Sequence, residues 1–80
     1  MTKLGPWVEK MGDWRRYWET PSVTGVDEDL AAIAGTSKEG PGWRAFSPEG
    51  ERKWAKEGLC PSIEEARAQA DAALRSKYGV

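Results

Sequence analysis

Pro61-Ser62-Ile63-Glu64-Glu65-Ala66-Arg67-Ala68-Gln69-Ala70-Asp71-Ala72-Ala73-Leu74-Arg75-Ser76-Lys77-Tyr78-Gly79 is the stretch whose reading decides the fold. Ser62 precedes the apolar pattern as an N-cap, and Glu65, three residues on, completes a capping box. Glu64 and Glu65 lie at the positive end of the helix dipole, Arg75 and Lys77 at the negative end. Ile63, Ala66, Ala70, Ala73, Leu74 and Tyr78 recur at spacings of three and four, which places them on one face. Gly79 supplies the residue that ends a helix in the left-handed conformation. The pattern predicts a helix over residues 63–77 with a face made mostly of alanine. Arg67, Gln69 and Asp71 fall off that face and read as solvated surface.

All five tryptophans, Trp7, Trp14, Trp18, Trp43 and Trp54, lie upstream of Ser62. A slim alanine face lets a helix approach its neighbour closely, and large rings then fill the space around it. The upstream signals are those of strands and turns. Gly42 to Phe46 and Glu51 to Lys56 flank Ser47-Pro48-Glu49-Gly50, with Pro48 at the second and Gly50 at the fourth position of a turn. Leu30 to Ala34 is too short for a helix before Gly35 and reads as a buried strand. Pro6 to Met11 and Trp14 to Glu19 pair as a hairpin across Gly12-Asp13. Residues 20–28, with Pro21, Gly25 and the acidic run Asp27-Glu28-Asp29, read as a loop. Residues 36–41 read as another, with Gly40-Pro41-Gly42 as its breaker. The expectation is an α+β fold over residues 1–80 as one small domain. It comprises an antiparallel sheet of four or five short strands with one C-terminal helix packed on one face.

Alternation along the strands puts Trp14, Arg16 and Trp18 on one face, with Arg15 and Tyr17 on the other. Trp43 and Ala45 likewise oppose Arg44 and Phe46. Aromatic residues therefore occupy both sheet faces, and one helix covers only one of them.

Composition bounds the chemistry. An 80-residue chain buries roughly 60–65% of its unfolded surface, so its core is thin. Cys60 is the one cysteine and there is no histidine. No internal disulfide and no ordinary zinc site can form, and no cofactor or metal is expected. Twelve Lys plus Arg against thirteen Asp plus Glu give a net charge of −1, so no general basic field gathers nucleic acid. No apolar run is long enough to span a membrane and no signal segment is visible. A lone cysteine suits a reducing compartment, and the cytoplasm is the expected location. Without histidine, a glycine-rich phosphate loop or a base beside Cys60, the sequence reads as non-enzymatic.

Two surfaces stand out. Trp14-Arg15-Arg16-Tyr17-Trp18 concentrates the residue types enriched at interface hot spots and is the candidate partner-binding strand. Arg44, Arg52, Lys53 and Lys56, interleaved with Trp43, Phe46 and Trp54, are candidate nucleic-acid contacts through phosphate pairing and base stacking. Over residues 41–56 they exceed Glu49 and Glu51 by only two charges, and an ordinary solvated hairpin would look the same.

The run from Trp43 through the Pro48–Gly50 turn and Lys53 to Ser62-Ile63-Glu64-Glu65-Ala66 resembles the integrase arm-type DNA-binding domain. That resemblance implies strands, then a helix, and DNA as ligand. Double-stranded-RNA-binding domains also end in an alanine-rich helix after three strands. They open it with lysines, however, where this chain has Glu64 and Glu65. Gly58-Leu59-Cys60-Pro61-Ser62-Ile63-Glu64-Glu65-Ala66 with Ala70-Asp71-Ala72-Ala73-Leu74 is similar to the ending of many short phage and bacterial proteins that carry a Trp-containing strand before it. That similarity implies a fold and a phage-like setting, not an activity. Three functions therefore compete: a protein-binding module that attaches to or inhibits a larger assembly, a DNA-binding sheet, and a self-associating structural or virion component. The near-neutral charge and surplus of aromatics place the first ahead.

Overall fold

The computed structural model describes residues 3–19, 28–48 and 50–80, with the backbone alone for 28, 29 and 50–52. It contains strands β1 (Lys3–Leu4), β2 (Val8–Lys10), β3 (Asp13–Glu19), β4 (Glu28–Ser37), β5 (Gly40–Ser47) and β6 (Gly50–Leu59), then helix α1 (Ile63–Tyr78). The sheet is antiparallel in the order β1-β3-β4-β5-β6, with β2 beside β1 on the same edge of β3. This is the expected α+β architecture, one helix against one face of an antiparallel sheet.

The helix begins at the expected N-cap, but only half of the expected capping box forms, because the Glu65 side chain does not reach back to the Ser62 N–H. Ser62 is extended (φ −149°, ψ 161°) and its hydroxyl accepts from the Glu65 N–H at 3.2 Å. Gly79 takes the left-handed conformation (φ 70°) and donates its N–H to the Arg75 carbonyl at 2.8 Å. The alanine face then meets alanines. Ala66, Ala70 and Leu74 of α1 and Ala32, Ala34 and Ala45 of the sheet are all fully buried in one cluster. Methyl groups on both sides let the helix come close.

The rings close the flanks of that contact. Trp18 and Trp43 are buried, while Trp7, Trp14 and Trp54 pack partly buried against the same core. Tyr78 receives Trp18 and Trp54 edge-on, at centroid distances of 5.3 and 5.6 Å, the arrangement that ring quadrupoles favour.

Several local expectations shift. The β2–β3 turn is Met11-Gly12, one residue earlier than the pattern suggested, because Lys10 pairs directly with Asp13. Met11 (φ 52°) and Gly12 (φ 89°) both lie at positive φ, the requirement of a two-residue hairpin loop whose twist matches its strands. Residues 36–41 are not a loop. β4 runs to Ser37 and β5 restarts at Gly40, so the connection is Lys38-Glu39 alone. Gly40 supplies φ 111°, and the Ser37 hydroxyl accepts from the Glu39 N–H at 3.2 Å. Pro41 lies within the strand, where its carbonyl accepts from the Cys60 N–H just past the end of β6. Glu28 and Asp29 belong to β4 and pair with Glu19 and Trp18 rather than lying in a loop. The rest of that expected loop, residues 20–27, falls outside the described residues. Ser47 pairs with Gly50 where the turn was expected, with a register jump between Phe46 and Ser47, and Glu49 of that turn lies outside the described residues.

Candidate functional site: the open sheet face

Strand alternation places Trp14, Arg16 and Trp18 toward α1, and the helix uses all three. The Arg67 guanidinium lies over the Trp14 ring at 4.2 Å. Arg16 pairs with Asp71 and donates its Nε–H to the Gly5 carbonyl at 2.9 Å. Trp18 is fully buried and donates to the Phe46 carbonyl at 3.0 Å. The expectation that the whole Trp14–Trp18 strand serves a partner is therefore corrected: only Arg15 and Tyr17, both half-buried, are turned to the other face.

The helix flank is corrected too. Asp71 accepts from the Trp7 indole at 3.2 Å, and Gln69 accepts from the Trp43 indole at 3.2 Å. Arg67, Gln69 and Asp71 are thus ties between helix and sheet, not plain solvated surface. An indole N–H can only donate, so the half-buried Trp7 and the buried Trp43 each call for an acceptor from the element beside them.

The face that α1 does not cover is ordered by the register into three rows. Gly35, Gly42 and Leu59 stand in one, with Asp13 and Lys10 continuing it on β3 and β2. The middle row is Val8, Arg15, Ile33, Arg44 and Glu57. Tyr17 with Leu30, and Phe46 with Ala55, make the third. Among the described residues the exposed large hydrophobics are Val8 (46%), Met11 (101%) and Leu59 (60%). Val8 and Leu59 lie on this face, and Met11 is at the hairpin tip beside Asp13.

A hollow of about 520 Å³ opens in this face between Asp13, Ile33, Gly35, Gly42, Arg44 and Leu59. The glycines create it. A Cβ on Gly42 would stand 2.8 Å from the Gly58 carbonyl oxygen, and one on Gly35 would collide with the Asp13 carboxylate. Glycine inside a strand marks such a close approach. Sequence reading missed the hollow, although Gly35 and Gly42 were its signal.

The described candidate nucleic-acid cations, Arg44, Lys53 and Lys56, do not converge. Arg44 is on the open face and its Nε–H donates to Glu57 at 2.9 Å, so its charge is matched. Lys53 is exposed on β6, and Lys56 pairs with Ala45, which places it on the helix side of the sheet. The Arg52 side chain lies outside the described residues. Among the described residues no group of three or more His, Cys, Asp or Glu is placed to hold a metal ion. No helix there is long and apolar enough to cross a membrane. Comparison with known proteins finds no family model, no curated protein and no solved structure that matches the chain.

Proposed function

We propose that this chain is a non-enzymatic protein-binding module that attaches to a larger assembly through its open sheet face. One observation carries the reading: among the described residues, the exposed large apolar side chains, Val8 at one edge of the sheet, Leu59 at the other and Met11 at the hairpin tip, lie on or beside the sheet face that the helix does not cover. On this face Ile33 and the Gly35–Gly42 floor lie between them, so apolar surface alternates with charge as it does at non-obligate interfaces. Tyr17, Arg15 and Arg44 add the aromatic and guanidinium groups that dominate binding energy. The opposite side of the molecule offers much less, since the outer helix surface presents Ala68 and Ala72 among charged residues. The DNA-binding reading is weaker because Arg44 is already paired and Lys56 points away from Lys53.

The test is capture on the immobilised chain from a bacterial lysate, followed by titration of the captured protein. Arg15→Ala combined with Tyr17→Ala should weaken binding by at least about 2 kcal/mol, the hot-spot range. Ala68→Glu on the outer helix should leave it unchanged. Equal loss in both variants, or none in either, would remove the open face from consideration. A captured partner that is duplex DNA, with affinity falling steeply as salt rises, would favour the nucleic-acid reading instead.

A further inference from the structure

The hollow on the open face holds a half-buried carboxylate that nothing in the described structure answers. Asp13 is half-buried, and its carboxylate lies across Gly35, where any side chain on that residue would displace it. Among the described residues it makes no hydrogen bond and no ion pair. Lys10 stands opposite it in the ladder but is not within ion-pair distance. Of the two cations that line the hollow, Arg44 is taken by Glu57 and Lys38 is exposed on the β4–β5 turn. Across the whole lining Asp13, Glu39 and Glu57 outnumber Lys38 and Arg44. Ile33, Leu59 and the two glycines make the apolar side of the lining, and Thr36 and Ser37 a polar side toward the β4–β5 turn.

A carboxylate beside a glycine floor flanked by Ile33 and Leu59 matches a cationic head on an aliphatic stem. Lysine and arginine bury their methylenes along apolar surface while the head seeks a charged acceptor. Resting on the open-face reading, we propose that the hollow seats a lysine or arginine of the protein partner. The stem lies along Ile33, Leu59 and the glycine floor, and the ammonium or guanidinium meets Asp13. The trough exceeds the volume of one such side chain, so the partner residue arrives with apolar neighbours that cover Leu59.

The experiment uses three capped tripeptides, Leu-Lys-Leu, Leu-norleucine-Leu and Leu-Glu-Leu, titrated to about 20 mM into the ¹⁵N-labelled chain, because an isolated contact of this size binds in the millimolar range. The lysine peptide should shift the amides of Gly35 and Gly42 with saturation. Asp13→Asn, with its circular dichroism unchanged, should weaken that peptide about tenfold and leave the norleucine peptide unaffected. Equal binding of lysine and norleucine peptides at the hollow would overturn the cation seat while the open face stood as a binding surface. Preference for the glutamate peptide would overturn the seat by reversing its sign. Absence of shifts at Gly35 and Gly42 with every peptide would also overturn it, and the open-face reading would then rest on the capture experiment alone.

Discussion

Asp71→Ala is the most searching perturbation of the helix–sheet junction. The carboxylate accepts from the Trp7 indole at 3.2 Å to each oxygen and pairs with Arg16. The Arg16 side chain is only 17% exposed and that of Asp71 31%, so the pair is neither on the surface nor fully dry. Breaking a fully buried pair costs about 3–5 kcal/mol, while exposed pairs contribute about 0–1 kcal/mol. A half-buried pair falls between, at about 1–2 kcal/mol. The lost indole bond adds about 1 kcal/mol, since the Trp7 N–H keeps no acceptor. Asp71→Ala should therefore cost about 2–3 kcal/mol, a large share of the stability of a chain this small. Urea unfolding followed by tryptophan fluorescence reads it: with a slope of about 1 kcal/mol/M, the midpoint falls by about 2–3 M. Asp71→Asn, which keeps an acceptor but loses the charge, should lose about half as much. A cycle with Arg16→Met should return a coupling of about 1–2 kcal/mol. A cost below about 0.5 kcal/mol for Asp71→Ala, or no coupling to Arg16, would refute the junction as described.

Three further substitutions probe the scaffold. Ser62→Ala should destabilise by about 1 kcal/mol through loss of the Glu65 N–H acceptor, read as a fall in Tm by differential scanning calorimetry. Ala70→Leu should cost about 1–3 kcal/mol by forcing the helix off the sheet, whereas Ala68→Leu, on the exposed side, should be close to neutral in urea unfolding. Met11→Asn should raise stability by about 0.5–1 kcal/mol in thermal unfolding, because asparagine accepts the positive φ that Met11 holds against its preference.

The parts of this fold legible in the sequence are those governed by local chemistry. The caps of α1 depend on Ser62 and Gly79 alone, and the side-chain alternation of β3 and β5 depends only on the pleat. The register bulge that leaves Ala31 between two pairings does not disturb it. What stayed hidden depends on groups far apart in the chain. Asp71 reads as helix surface until Trp7, 64 residues away, brings an indole N–H to it. The turn at Met11-Gly12 was displaced because methionine is a poor marker of positive φ. The binding face was only half visible. The strand Trp14–Trp18 drew attention by composition, yet its helix-facing rings are core. Val8, Leu59 and the glycine pair Gly35–Gly42 join Arg15 and Tyr17 only once five strands are laid side by side. No periodicity within one segment can reveal a row that runs across a sheet.

The most direct test of the open-face account is a methyl chemical-shift footprint of the captured partner on the isotope-labelled chain. The account predicts that the methyl signals of Val8, Met11, Ile33 and Leu59 shift or broaden on binding, while those of Ala68 and Ala72 on the outer helix remain in place. Perturbation centred on Ala68 and Ala72, with the Val8, Ile33 and Leu59 signals unmoved, would contradict it.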